Sequence, residues 1–132
     1  MTTLMEGMVV HLMGDTGVTG IIGTRLYPMV VPQDAELPAA AYQQLSGPRE
    51  HSHSGASGLV RARVQFTCMG ASYNAAKDVA EALRLSLDGF KGSMGNVDVQ
   101  AVFLDNEVDG YASTFEAAVT RVDFVVWYGE ER

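Results

Sequence analysis

One stretch of the sequence changes its hydrophobic period midway, and no other feature limits the fold as much. Across residues 60–68 apolar side chains alternate with polar ones, the pattern of a β-strand with one buried and one exposed face. From Ser72 to Leu87 the apolar residues recur at helical spacing, with Ser72 as a suitable N-cap and Gly89 where helices commonly end. Because strand and helix each present one apolar face, we expect these faces to pack against each other.

Three segments before this stretch add further elements to the same domain. Thr3 and Glu6 have the spacing of a capping box, which predicts a short first helix. The glycine-rich residues 14–23 indicate a compact turn or a single helical turn. Pro28 and Pro32 bar the next segment from the centre of a sheet, so an edge strand or a draped loop is expected there.

The remaining chain supplies the other strands. Residues 39–45, 97–103 and about 115–128 read as strands, and residues 105–110 read as an acidic turn. Residues 49–57, rich in serine, glycine and histidine, are predicted to form a mobile loop between two strands. The sequence therefore predicts a single α+β domain over residues 1–132, with two helices packed on a mostly antiparallel sheet of four to five strands.

Composition sets limits on partners and location. The 132 residues carry a net charge of -7, so no cationic surface dominates to displace counterions from nucleic acid. The single cysteine, Cys68, excludes an internal disulfide and lies on the apolar side of its strand, where we expect a buried, unreactive thiol. No apolar run of membrane-spanning length and no basic, signal-like N-terminus is present, so we expect a cytosolic protein without membrane contact.

Residues able to bind metal occur at two places. His51 and His53 lie beside Glu50, but zinc needs three or four convergent ligands, and a solvated loop is the preferred interpretation. A second set has the spacing of a calcium loop but is flanked by predicted strands instead of helices; it consists of Asp105, Glu107, Asp109, Gly110 and Glu116. No nucleophile elbow, phosphate loop or dinucleotide fingerprint occurs. We therefore expect no metal, no cofactor and no enzymatic activity.

The exposed faces of the two long predicted strands mix charge with large apolar groups. Two interpretations stay open. Either a helix covers the apolar part, or the face is a subunit interface, where arginine and aromatic residues are enriched at energetic centres. The candidate interface residues on these strands are Arg61, Arg63, Arg121, Asp123 and Trp127.

A series of turn and strand motifs extends over most of the chain. They are residues 22–28 (IGTRLYP), 31–32 (VP), 37–38 (LP) followed by Tyr42, 64–66 (VQF), the alanine-rich helix from 72–73 (SY) to 87–89 (LDG), and 121–124 (RVDF). Through these motifs the sequence resembles the tail-completion, or tail-terminator, proteins of long-tailed bacteriophages and gene-transfer particles, over about residues 5–128.

This resemblance implies a structural virion protein at the head–tail junction. Such a protein forms a ring, typically of six copies, that caps the tail tube, stops its growth and gives the filled head a docking surface. The implied partners are further copies of the chain, the tail-tube protein and a head-completion or stopper protein. DNA is expected to pass through an acidic lumen without specific binding.

A closed ring joins two different patches of each copy. We consider the arginine-bearing strand face as one patch and the acidic Asp105, Glu107 and Asp109 as the other. A candidate docking loop towards the tube or the neck consists of Arg49, Glu50, His51 and His53. The alternatives are another neck protein, such as a head-completion or stopper protein, or a small cytosolic α+β binding protein or metal-dependent enzyme.

Overall fold

The computed structural model describes residues 3–46, 59–95 and 97–129, which form three helices and one six-stranded sheet. The elements are α1 (Leu4–Met13), α2 (Thr16–Ile22), β1 (Leu26–Pro28), β2 (Ala39–Ser46), β3 (Leu59–Gly70), α3 (Tyr73–Leu87), β4 (Gly92–Met94), β5 (Val97–Ala112) and β6 (Ala117–Gly129). The predicted α+β class is confirmed. The sequence predicts four to five strands and two helices, which is fewer than the six strands and three helices of the described residues.

The two predicted helices begin where their capping residues lie. In α1 the Thr3 hydroxyl accepts a hydrogen bond from the Glu6 amide at 3.1 Å, and the Glu6 carboxylate accepts one from the Thr3 amide at 2.9 Å. This confirms the capping box. The Ser72 hydroxyl accepts a bond from the Ala75 amide at 3.1 Å and starts α3 in the same way.

Helix α2 occupies the glycine-rich segment for which a compact turn or a single helical turn is predicted. Its N-cap is Asp15, whose carboxylate accepts a hydrogen bond from the Gly17 amide at 2.8 Å. The Asp15 pKa is lowered by a hydrogen bond from the Ser86 side chain and by the Gly17 amide. The helix ends at Gly23, where φ is +60°. The short helix is held between α1 and α3, and packing therefore overrides the low helix propensity of glycine.

The sheet has the strand order β1-β2-β3-β6-β5-β4. Strand β1 runs parallel to β2, and all other neighbours are antiparallel. The centre is formed by β3 and β6, which pair from Leu59 opposite Gly129 to Gly70 opposite Ala118. The proline-containing segment lies at an edge as β1, because Pro28 lacks the N–H that a central strand would need.

All three helices contribute to one core on a single face of the sheet. On this face β3 buries Ala62, Val64, Phe66 and Cys68 against apolar residues of α1, α2 and α3. The rings of Phe66 and Phe124 meet edge to face, with centroids 5.9 Å apart. The expected packing of strand on helix is confirmed, and so is the buried thiol of Cys68, whose pKa is raised by burial.

The predicted acidic turn at residues 105–110 is wrong. Strand β5 continues through these residues to Ala112 and pairs with β6, and the turn follows at residues 113–116. Register shifts between Val99 and Ala101 and between Leu104 and Asn106 interrupt the alternation of the strand. The first shift leaves Phe103 53% exposed, although the alternation in the sequence groups it with the buried valines of β5.

Candidate assembly interface

The face of the sheet opposite the helices carries the predicted interface residues of the long strands. We call it the outer face; in β3 and β6 it comprises Arg61, Arg63, Gln65, Thr67, Met69, Val119, Arg121, Asp123, Val125 and Trp127. At one end a small apolar cluster of Val31, Ala39, Ala41, Met69 and Val119 lies under the segment that joins β1 to β2. Within the described ranges no helical residue belongs to this cluster. The interpretation that a helix covers the outer face therefore does not hold for the described part of the chain.

An ion-pair network lies at the centre of the outer face. Asp123 is only 7% exposed, and its carboxylate accepts hydrogen bonds from Gln65 at 3.0 Å and from Arg63 Nε at 3.4 Å. The other end of the Arg63 guanidinium binds Asp105 on β5, and this hydrogen bond raises the Arg63 pKa. Because a buried carboxylate is costly unless it is hydrogen-bonded and paired, we infer that Arg63 and Gln65 hold Asp123 in place.

Arg61 and Trp127 lie next to this network. The two residues are directly opposite each other on β3 and β6, and the Arg61 guanidinium carbon lies 6.0 Å from the indole centroid. Arginine and tryptophan are enriched at the energetic centres of protein interfaces, and a cation–π pair is stronger when water is excluded from it. Arg61 is exposed and Trp127 is partly exposed, so a partner can reach both groups.

Arg121 borders an open groove on the same face. The groove has a volume of about 350 Å³ and runs between residues 29–31 on one side and Phe115 on the other. Its rim is strongly apolar, since Met29 and Val30 are 61% and 69% exposed. Arg121 is exposed and makes no ion pair with any residue of the described ranges.

The acidic residues of β5 do not form one cluster. Asp105 binds Arg63, whereas Glu107 and Asp109 both bind Lys77 of α3, Asp109 at 3.0 Å. The hydrogen bond with Glu107 raises the Lys77 pKa, and Lys77 in turn lowers the Asp109 pKa. Glu107 and Asp109 therefore fasten α3 to β5, while Asp105 belongs with the outer face.

The structure thus brings together part of the predicted set and divides the rest. Arg61, Arg63, Asp123 and Trp127 are neighbours on the central strands, and Arg63 pairs with Asp105 inside one chain. The sequence analysis missed Gln65, Lys77 and Tyr73, whose hydroxyl donates a hydrogen bond to Asp109 at 3.1 Å. None of these has a local sequence signal, because each role depends on strand register or on helix placement.

Three further expectations concern binding. Arg49, Glu50, His51 and His53 lie outside the described residues. In the ranges that are described, no group of three or more His, Cys, Asp or Glu side chains is placed to hold a metal ion. No described helix is long and apolar enough to cross a membrane.

These features define a class of protein: a small α+β domain whose sheet carries helices on one face and an arginine- and tryptophan-bearing surface on the other. A family model described as "Tail completion protein gp17" matches residues 6–129, and the chain belongs to this family. The family resemblance drawn from the sequence is confirmed, and membership indicates a structural protein of bacteriophage tail completion.

The fold agrees with a solved structure. The chain is similar to one from the "Virion of native gene transfer agent (GTA) particle", with a TM-score of 0.69 and 13% sequence identity. The similarity covers 91% of this chain and 90% of that chain. A comparison with curated proteins finds no match.

Proposed function

We propose that this chain is a structural virion protein of the head–tail junction, where six copies form a ring on the end of the tail tube. The ring ends tail polymerisation and provides the surface on which the DNA-filled head docks. The family description supports tail completion, and the similarity to a chain of a gene-transfer-agent virion supports a place in the particle.

The observation that carries this proposal is the outer face. It exposes Arg61 beside Trp127 and leaves Arg121 without an ionic partner in the described residues. An isolated domain gains little from such groups, whereas arginine and tryptophan contribute strongly when a subunit contact excludes water from them. A closed ring needs two different patches on each copy, and the outer face supplies one of them.

The second patch in this proposal is strand β5 beside the outer face, where Asp105 borders that face and Glu107 and Asp109 lie towards α3. Its residues Asp105, Glu107 and Asp109, together with Asp123, share only two cations in the described part of the chain, Arg63 and Lys77. The strand therefore keeps negative charge that Arg61 and Arg121 of a neighbouring copy can neutralise. Arg63 is engaged within its own chain and acts by positioning Asp123 and Asp105.

The remaining partners in this proposal are those that the family resemblance implies. The tail-tube protein lies below the ring, a head-completion or stopper protein lies above it, and residues 49–57 are the proposed docking loop towards one of them. The net charge of -7 suits a lumen through which DNA slides, because affinity for DNA requires cations that neutralise phosphates. If removal of residues 49–57 leaves head–tail joining unchanged, the docking role of this segment is abandoned.

Native mass over a concentration series, combined with negative-stain imaging, tests the ring. We expect six-fold rings, either of the isolated protein or on the ends of tail tubes mixed with it. The variants Arg61→Glu and Arg121→Glu are expected to lose the ring, and Lys91→Glu is the matched control because it makes the same charge change at an exposed site away from the outer face.

The outcomes separate the alternatives. Rings that persist in both arginine variants exclude the outer face as an interface but leave the ring itself standing. A protein that stays monomeric and leaves tube ends uncapped excludes the terminator role and favours another neck protein.

A further inference from the structure

Among the residues that the structure describes, strand β5 has no partner along one edge for almost half of its length. On one side it pairs with β6 from Asp98 to Ala112, with two register shifts, but on the other side β4 pairs only with Val97–Val99. The turn after α3 covers the next part, where the Gly89 amide donates to the Val102 carbonyl at 2.8 Å and the Leu104 amide donates to Asp88 at 3.0 Å. Along residues 105–111 no described residue pairs with this edge.

A free strand edge presents a row of backbone donors and acceptors that another extended chain can pair with. Apolar side chains accompany this row, since Val108 is 49% exposed and Tyr111 is 67% exposed. They offer side-chain contacts to an added strand on top of the main-chain hydrogen bonds.

The charge on both sides of the edge specifies which strand fits. Asp105 lies towards the outer face, whereas Glu107 and Asp109 lie towards α3. Within the described ranges Arg63 binds two carboxylates, those of Asp105 and Asp123, and Lys77 also binds two, those of Glu107 and Asp109. The carboxylates therefore outnumber the cations that bind them. An acidic strand, including β5 of a second copy, is repelled, and a strand with lysine or arginine is attracted.

We propose that residues 105–111 bind an extended, lysine- or arginine-bearing segment of a partner protein as an added strand of the sheet. The main chain of the segment pairs with the free edge of β5, and its cations approach either Asp105 on the outer face or Glu107 and Asp109 on the side of α3. This inference rests on the proposed function for its place in the virion, and it assigns to the β5 carboxylates a cationic partner other than the neighbouring copy proposed there. Its test uses the isolated chain without rings or tubes, so either proposal can fail without the other.

The probe is a labelled, end-capped octapeptide that alternates lysine and valine. Fluorescence anisotropy measures its binding, and hydrogen exchange with mass spectrometry locates it. We expect binding that weakens as salt increases, together with slower amide exchange in peptides that cover residues 105–111. The same peptide N-methylated at every second residue keeps its charge but lacks the donors along one edge, and we expect it to bind at least about tenfold more weakly.

Protein variants provide a second comparison. Val108→Lys adds a positive charge at the edge and is expected to weaken binding of the lysine peptide by about tenfold. Leu85→Lys makes the same kind of change on α3, where Leu85 is 69% exposed, and is expected to leave binding unchanged. An N-methylated peptide that binds as well as its parent, protection confined to other segments, or no binding at low salt each overturns the proposal.

Discussion

The packing of α1 on the sheet depends on the absence of a side chain at Gly7. A Cβ built on Gly7 lies 2.2 Å from the carbonyl oxygen and 2.8 Å from the carbonyl carbon of Met94. Non-bonded heavy atoms are comfortable at about 3.5 Å or more, so the helix and β4 would have to separate by roughly 1 Å. The obstructing atoms are backbone atoms of a paired strand and cannot rotate away.

We therefore predict that Gly7→Ala destabilises the fold. An extra methyl group in a tightly packed contact costs about 1–3 kcal/mol, whereas alanine in place of glycine within a helix gains up to about 1 kcal/mol. The net loss in the free energy of unfolding is about 1–2 kcal/mol, since the contact involves backbone. For a chain of this size that corresponds to a decrease in Tm of about 4–8 °C, which thermal and urea denaturation measure.

Gly20→Ala is the matched control for this change. Gly20 also lies within a helix, but nothing comes within 4 Å of a Cβ at that position. We expect it to raise stability by about 0.5–1 kcal/mol, the ordinary helix gain. If Gly7→Ala proves as stable as Gly20→Ala, the close contact of α1 with β4 is refuted.

Three further predictions concern charged and reactive groups. Arg63→Met is expected to lower the urea midpoint of unfolding, because it leaves the buried Asp123 carboxylate without a cation. Adding Asp123→Asn is expected to restore part of the lost stability. If the double variant restores none of it, the ion pair between Arg63 and Asp123 is contradicted. Cys68 is expected to resist thiol reagents in the native protein and to react after denaturation, since burial raises its pKa; rapid native labelling would contradict this. Asp109 has a pKa below its ordinary 3.8 and Lys77 one above its ordinary 10.5, so their contribution to stability is complete between these values, is lost as acid protonates Asp109 and is lost again as alkali deprotonates Lys77. If the Lys77→Met variant keeps the wild-type pH dependence of stability at both the acid and the alkaline end, this assignment is refuted.

Much of the fold was accessible from local patterns. The alternation at residues 60–68 predicted β3, because a period of two places every apolar side chain on one face of a strand and would scatter them around a helix. The capping residues Thr3 and Ser72 marked the starts of α1 and α3, since the first amides of a helix need acceptors close in sequence. The edge position of Pro28 followed from its missing donor.

The errors occurred where tertiary contacts decide. In β5 the two register shifts interrupt the period of two that would identify a strand. The acidic residues of its second half are also typical of a turn, and the sequence alone therefore predicted a turn there. The carboxylates are tolerated there because Lys77 and Arg63 arrive from elements distant in sequence. Helix α2, with seven residues, is longer than the compact turn or single helical turn predicted for its glycine-rich segment.

The sequence by itself determined the fold class, the central strand and helix, the family resemblance and the chemical character of the candidate interface. The fold class and the central elements follow from periodicity and capping, which act between residues that are near in the chain, whereas the family resemblance rests on the turn and strand motifs between residues 22 and 124. The tertiary structure decided that all three helices lie on one face, that Arg63 is engaged within its own chain and that β5 keeps a free edge along the described residues. Such features depend on strand register and on long-range packing, and a shift of one residue in register moves every side chain of a strand to the opposite face.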